Sequence, residues 1–244
     1  MRHKTFLGLF VICLFAATAH GQKESTQEFK TDYGFTIRLP DDWREVPADI
    51  VKKLDQKMTE LAHVPQNWEY AYQLKSASHW LAYPYILVQF LPGRKSESSV
   101  KKEYETKSAI QAGLDKASNA SASLISGAKL GTYSFDPNTH TVEFISESNI
   151  QGMGTIAGYT ALKLTEKGGI QFCGYCAEVD KAEFIPFFKN AAANLQLSEG
   201  MAYKPGVLDG VPFLGSINWN SVIIGAIVGG LCGLFGTLFK KKKP

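Results

Sequence analysis

Two cysteines form the pattern in this chain that most suggests chemistry. Cys173 and Cys176 make a Cys-x-x-Cys pair, a spacing used for redox exchange and metal binding. Their flanking residues are typical of a β-strand, where positions i and i+3 point to opposite faces with Cα atoms about 10 Å apart, beyond the roughly 7 Å limit for a disulfide. Two interpretations stay open: a redox pair brought together by a local bulge at Gly174, or two buried strand cysteines.

A metal site at this pair lacks further cysteine ligands. A structural zinc site needs a second pair of ligands, and the two remaining cysteines, Cys13 and Cys232, fall in segments that are assigned below to a signal peptide and a membrane helix. We therefore predict no metal-binding residues.

The histidines indicate no recognisable active site. His63, His79 and His140 belong to no motif, and the chain has no nucleophile elbow, zinc-protease helix, Walker loop or calcium loop. We therefore predict no catalytic and no cofactor-binding residues, no cofactor and no enzymatic activity. The alternative is an exported, membrane-bound enzyme, an unspecified hydrolase, whose residues meet only in the fold. A deep polar pocket that gathers these histidines with carboxylates would favour that alternative.

The clearest functional pattern is an apolar run near the C-terminus. Residues 222–239 carry no charge and, at about 1.5 Å per residue, cover roughly 27 Å, close to the thickness of the hydrocarbon core of a bilayer. We predict one transmembrane helix over residues 219–239. Glycines recur along it at or near four-residue spacing, at Gly225, Gly229, Gly233 and Gly236. Such spacing lets helix backbones approach closely in lipid and predicts self-association or a partner helix; the alternative is the ordinary glycine content of membrane helices.

The charges at both ends of the chain predict its orientation. Four lysines follow the apolar run, and basic residues favour the cytoplasmic side, which makes residues 240–244 a cytoplasmic tail: Lys240, Lys241, Lys242 and Lys243. Residues 1–19 combine a basic start, a short apolar run and a small-residue cleavage pattern, which predicts a signal peptide. The domain between them is then exported, on the periplasmic side of a bacterial inner membrane. A dilysine retrieval signal of the eukaryotic endoplasmic reticulum is the other interpretation of the tail.

Composition limits the partners. The chain has 26 basic and 23 acidic side chains, and removal of the six basic residues of the two end segments leaves 20 against 23. The exported part is therefore slightly acidic and has no basic block for nucleic acid. The predicted partners are the lipid bilayer and either another protein or a second copy of the chain.

The residues between the two end segments predict one α+β domain. Residues 20–28 are polar and without period, which predicts a disordered lead; residues 29–197 carry strand and helix patterns; residues 198–218 are rich in glycine and proline and predict a linker. Gly168 and Gly169 indicate a hairpin. Segregated strands and helices predict an antiparallel β-sheet flanked by helices.

A short motif adds a family resemblance. The stretch Asp32-Tyr33-Gly34-Phe35-Thr36-Ile37, followed by Pro40 and Trp43, resembles the opening of PsbP-like and Mog1-like domains, and the later hairpin and closing amphipathic helix are similar too. The resemblance implies an α/β/α sandwich in a bacterial, membrane-anchored member, and a role in binding or assembling protein complexes rather than in catalysis. It carries over no functional residues because the matching positions are fold residues. The predicted anchor departs from the best-known members, which leaves the partner open.

Overall fold

The computed structural model describes residues 25–62, 66–94, 96–98, 107–120, 124–206, 223, 225–226, 229–231 and 233. Strands and helices alternate irregularly along these residues. The strands are β1 (Thr26–Lys30), β2 (Phe35–Pro40), β3 (Trp43–Glu45), β4 (Tyr70–Leu74), β5 (Tyr85–Pro92), β6 (Ile125–Asp136), β7 (Thr141–Ile150), β8 (Gly154–Leu164), β9 (Gly168–Ala177) and β10 (Gln196–Leu197). The helices are α1 (Ala48–Ala62), α2 (Lys107–Ala120) and α3 (Lys181–Ala193), with 3-10 turns at Glu178–Asp180 and Gly229–Leu231.

The described strands form two antiparallel sheets. The larger sheet has seven strands in the order β3-β4-β5-β9-β8-β7-β6, and the smaller has three in the order β1-β2-β10. The predicted hairpin joins β8 to β9, where Thr165 N–H donates to the Gly168 carbonyl at 2.8 Å. A side chain on Gly168 would overlap the carbonyl of Leu91 on the neighbouring strand, which explains a glycine there. The predicted α+β architecture with an antiparallel sheet is confirmed.

Helices cover both faces of the seven-stranded sheet. On one face, which we call the α1/α2 face, buried side chains of α1 and α2 form one apolar cluster with alternate residues of β4, β5, β7, β8 and β9. On the other face, α3 and the smaller sheet form a second cluster with the intervening residues. The central strand β9 is buried along most of its length because both of its faces are covered.

Helix α3 packs closely against its face through aromatic residues. Phe188 is fully buried, and the indole ring of Trp43 stacks on Phe187 with ring centroids 5.0 Å apart. The absence of a side chain at Gly174 lets the Phe188 ring lie against β9, since a Cβ there would come within 2.5 Å of its Cδ1. These aromatic side chains of α3 are therefore part of the core.

Two boundaries differ from the sequence-based expectation. Strand β1 begins at Thr26, inside the predicted disordered lead, because it pairs with β2 along its whole length and Phe29 packs on Tyr72 with ring centroids 4.8 Å apart. Residues 198–206, assigned to the linker, are held by the domain: Met201 and Tyr203 are buried. Both differences arise from contacts with residues distant in sequence, which local polarity does not reveal.

Candidate helix-binding site

The α1/α2 face carries an unusual set of buried polar side chains for the core face of a sheet. They come from β5, β7, β8 and β9: Gln89, Ser146, Ser148, Thr160 and Gln171. Contacts across three strands link several of them: Gln89 Nε2 donates to Gln171 Oε1 at 2.7 Å, Gln171 Nε2 donates to Cys173 Sγ at 3.3 Å, and Thr160 Oγ1 lies 3.4 Å from the same sulfur. Buried polar groups that satisfy one another in this way fix a sheet register more strictly than apolar contacts do.

Beside this polar row lie three tyrosines, which we call the tyrosine cluster: Tyr83, Tyr85 and Tyr175. Tyr85 and Tyr175 are direct neighbours across β5 and β9, with ring centroids 5.3 Å apart. Tyr83 precedes β5 and stacks on Tyr85 at 5.2 Å. The stacked rings orient the hydroxyl groups of the cluster toward one region of the α1/α2 face.

The tyrosine cluster binds the backbone of the C-terminal region. Tyr85 Oη donates to the Gly229 carbonyl at 2.6 Å, Tyr175 Oη donates to the Gly225 carbonyl at 2.9 Å, and Tyr83 Oη donates to the Gly230 carbonyl. The described residues of this region, which we call the glycine segment, are Ile223, Gly225, Ala226, Gly229, Gly230, Leu231 and Gly233. Three hydroxyl groups thus bind carbonyl groups of one backbone, which is recognition of main-chain atoms.

The glycine segment is buried. Ile223, Ala226 and Leu231 are 6%, 2% and 0% exposed and belong to the same apolar cluster as α1 and α2. The rest of the predicted transmembrane helix, residues 219–239, lies outside the described residues, as do Gly236 and Lys240 to Lys243. Within the part of the chain that the structure describes, no helix has the length and apolar character needed to cross a bilayer.

The predicted glycine ridge faces the domain. A Cβ on Gly229 would overlap the Tyr175 hydroxyl and lie 2.6 Å from its Cζ, and a Cβ on Gly233 would lie 2.5 Å from the Tyr83 ring. At Gly225 it would lie 2.6 Å from Gln66 Oε1. Larger residues at these three positions would therefore separate the segment from the sheet.

Helix α2 closes the other side of the segment. A Cβ on Gly113 would lie 2.8 Å from Ile223 Cδ1 and 3.4 Å from Ile223 Cβ. The contact between α2 and the segment is thus also made at a glycine. The segment is therefore contacted both by the tyrosine cluster and by α2.

Two polar groups near the segment are left without hydrogen bonds. Gln66 is buried, and among the described residues neither its Oε1 nor its Nε2 has a hydrogen-bond partner; the indole Nε1 of buried Trp68 has none there either. Burying such groups unpaired opposes the arrangement that buries them, by about 1–3 kcal/mol for each group. The site therefore combines three favourable main-chain hydrogen bonds with an opposing desolvation cost.

The two cysteines point to opposite faces of β9. Cys173 belongs to the α1/α2 cluster and Cys176 to the α3 cluster, and both are free thiols. The pairing of β9 with β5 and β8 runs without interruption through Gly174, so the bulge that a disulfide would need is not there. Burial raises the pKa of Cys173 to about 11 and that of Cys176 to about 12, which keeps both thiols protonated and weakly nucleophilic at neutral pH.

The described histidines do not meet. His79 Nδ1 lies 3.2 Å from the Trp80 carbonyl, whereas His140 contacts Glu97 and packs on Tyr203 with ring centroids 4.8 Å apart; His63 lies outside the described residues. No group of three or more histidine, cysteine, aspartate or glutamate side chains that could hold a metal ion occurs in the described ranges. Among the described histidines, His140 has a carboxylate neighbour, Glu97, whereas His79 lies in separate surroundings.

Two carboxyl groups with raised pKa values lie on a surface depression of about 520 Å³ beside α1. Burial raises the pKa of Asp55 to about 6, opposed by a hydrogen bond from the Trp68 backbone. Burial also raises the pKa of Glu69, whose carboxylate accepts from the Phe90 N–H at 2.6 Å. The Tyr33 hydroxyl, which lines the same depression, is hydrogen-bonded to the Glu69 carboxylate.

Sequence reasoning did not single out the tyrosine cluster. Tyr83 and Tyr85 are two residues apart, a spacing that places both on one face of a strand, but nothing local says which face or what it opposes. Tyr175 joins them only through the pairing of β5 with β9. The glycines that the cluster contacts were identified from sequence, but as a surface for another membrane helix.

Comparison with known proteins adds similarity of fold. No protein-family model and no curated protein matches the chain. Among solved structures, the chain is similar to cyanobacterial PsbP (CyanoP) from Synechocystis sp. PCC 6803, with 12% sequence identity, a TM-score of 0.46 and coverage of 75% of this chain and 98% of that chain. It is also similar to LpqN of Mycobacterium tuberculosis, described as involved in cell envelope biogenesis, with 15% identity, a TM-score of 0.37 and coverage of 73% and 87%. Neither similarity bears on partner or activity.

Proposed function

We propose that this protein is a membrane-anchored, exported binding or assembly module rather than an enzyme. The observation that carries the proposal is the set of hydrogen bonds from the tyrosine cluster to backbone carbonyls of the glycine segment. A face that recognises main-chain atoms of an apolar, small-residue segment suits a polypeptide ligand. It is a less natural environment for a small polar substrate, because the segment is held largely by buried apolar surface.

The chemistry of the described residues supports binding over catalysis. Reaction at Cys173 or Cys176 would require a thiolate, and burial holds both thiols in the protonated form. The described histidines do not gather in one pocket: His140 contacts Glu97, and His79 lies in separate surroundings. In the polar row on the α1/α2 face, Gln89 and Gln171 hydrogen-bond to each other and Thr160 contacts Cys173, which gives these three polar residues a structural role.

The anchor is proposed from the sequence. Residues 219–239 would span the inner membrane of a bacterium, residues 240–244 would remain in the cytoplasm, and the domain of residues 29–197 would face the periplasm after removal of residues 1–19. In the bilayer, the ridge of Gly225, Gly229 and Gly233 would pack against a second copy or a partner helix. A reporter fused after Pro244 that is active only on the exported side would refute this orientation.

The proposed function is tested by crosslinking in intact membranes, with mass spectrometry of everything captured by the full-length protein. The matched variants are Tyr85→Phe with Tyr175→Phe, which removes two donors and keeps both rings, and Tyr33→Phe at an exposed site as control. We expect a distinct protein, crosslinked to the exported domain, at near-stoichiometric yield with the chain and with Tyr33→Phe, and a reduced yield of that domain-linked protein with the double variant. Capture of no protein, or capture that the double variant leaves unchanged, would contradict the proposal.

A further inference from the structure

We infer that the tyrosine cluster and α2 form a binding site for this chain's own glycine segment, so that docking on the domain and insertion into the bilayer exclude each other. The ligand is an apolar helical segment with glycine at the contact positions, supplied by the same molecule. The docked state follows from the contacts of the described residues. The released state rests on the proposed function, because it is the membrane-embedded form of residues 219–239.

The contacts select for glycine in the segment. Tyr175 donates to the Gly225 carbonyl while its hydroxyl occupies the space that a side chain on Gly229 would need. Positions 225 and 229 are four residues apart, about one helical turn, so Tyr175 contacts two successive turns of the segment. Gly230 is different, because a Cβ there would make only ordinary contacts, the nearest 3.6 Å away with the Tyr175 ring.

The same glycines serve the two states. Gly225, Gly229 and Gly233 form the ridge proposed to pack against another helix in lipid, and these three positions are the ones that closely approach Gln66, Tyr175 and Tyr83 in the docked state. One segment presents this ridge to one partner at a time. Docking therefore competes directly with insertion and with helix pairing in the membrane.

Docking is reversible because favourable and unfavourable contacts oppose each other in the docked state. Its favourable contacts are the three tyrosine hydrogen bonds and the burial of Ile223, Ala226 and Leu231, and it is opposed by the unpaired amide of Gln66 and the unpaired indole N–H of Trp68. A bilayer offers the apolar side chains of the segment an equally apolar environment. The domain thus shields the segment from water until lipid is present.

The test uses an engineered disulfide between α2 and the segment. The Cβ atoms of Gly113 and Ile223 would lie 3.4 Å apart, near the spacing of about 3.8 Å that disulfides prefer, so Gly113→Cys with Ile223→Cys reports docking. Gly113→Cys with Val179→Cys, a fully exposed position on the 3-10 turn after β9, is the control pair. Full-length protein is synthesised without membranes or with phosphatidylethanolamine and phosphatidylglycerol vesicles, and flotation measures membrane association in parallel.

We expect the reporter pair to form an intramolecular disulfide in most molecules made without vesicles, and the control pair to form none. Gly229→Ala should lower disulfide formation about tenfold or more, since a methyl group forced into a filled site is poorly tolerated, whereas Gly230→Ala should leave it within about twofold. Vesicles present during synthesis should lower it to a similar extent as the protein floats with lipid.

Other results separate the two proposals. Disulfide-linked dimers of the reporter pair would place a second copy in the site and overturn docking within one molecule. If no disulfide forms without vesicles, or if Gly229→Ala and Gly230→Ala have equal effects, the binding site is refuted. The membrane anchor is then judged separately, by the flotation result. A bond that vesicles leave unchanged, in protein that does not float, would support the site and refute the anchor.

Discussion

Replacement of Gln66 by methionine should strengthen docking of the glycine segment. Gln66 is 2% exposed and both polar atoms of its amide lack partners, and its Oε1 lies beneath Gly225, where a Cβ would be 2.6 Å away. Methionine has a similar length and fills irregular space well, but it carries no strongly polar group. Gln66→Met therefore keeps the packing and removes the unpaired amide.

The magnitude follows from the state in which the amide is buried. A polar group that is buried without a hydrogen bond raises the free energy of that state by about 1–3 kcal/mol, whereas a group that water can hydrate carries no such penalty. If the segment is what excludes water from Gln66, the substitution relieves this cost in the docked state alone. The docking equilibrium should then shift toward the docked state by about 5- to 150-fold.

The assay is the disulfide between positions 113 and 223 in full-length protein, oxidised for a time in which the unsubstituted reporter reacts only in part. Gln89→Met is the control of opposite sign, because Gln89 donates to Gln171 at 2.7 Å and accepts from the Asn67 N–H at 3.2 Å. It should lower the free energy of unfolding in urea by about 1–3 kcal/mol. Slower disulfide formation in Gln66→Met would refute the reasoning, since it would mean that the amide binds the segment.

Three further predictions concern the domain itself, measured on full-length protein in mild detergent. Phe188→Ala should lower the free energy of unfolding by about 3–5 kcal/mol. The double variant with Gly174→Ala should lose less than the sum of the two single losses, because the new methyl group enters the space that the Phe188 ring leaves. Additive losses in urea titrations would contradict that packing. Asp55→Asn should stabilise the protein by about 1 kcal/mol at pH 8, after allowance for partial solvent exposure, and should have no effect on stability at pH 3.5. The reason is that the pKa of Asp55 is about 6 in the folded protein and about 3.9 in the unfolded chain, so the protein loses stability as the pH rises from about 4 to 6. An equal effect of the substitution at both pH values would exclude this cause. Cys173 and Cys176 should resist alkylation until the protein unfolds, and faster labelling of the native protein after reduction would reveal a disulfide.

The predictable part of the fold is the part written in local patterns. The hairpin at Gly168 and the closing amphipathic helix follow from turn residues and helical spacing, and both are present in the structure. Strand β1 was not predicted, because its residues are polar and it exists by pairing with β2. The ordering of residues 198–206 depends similarly on contacts with the distant Thr165 and Glu166.

The sequence predicts the glycines of the candidate site but not the tyrosines that contact them. The glycines of the segment stand out because their spacing is regular within one stretch of sequence. The residues that receive them do not, since Tyr83 and Tyr85 are about ninety residues from Tyr175 and are brought together only by the register of β5 on β9. A pattern in one strand shows which residues share a face, but it does not show which strand will lie beside it.

The glycine ridge also shows why one sequence pattern admits two structural outcomes. Small residues four apart permit close backbone approach, and this property is equally useful against another helix in lipid and against tyrosines on a sheet. What differs is the partner's chemistry: helix pairs in lipid rely on packing, whereas Tyr85 and Tyr175 add hydroxyl donors to carbonyls at 2.6 and 2.9 Å. Removal of those hydroxyls should therefore weaken docking and leave pairing in the membrane unchanged, which makes the hydroxyl groups, rather than the glycines, the feature that distinguishes the two states.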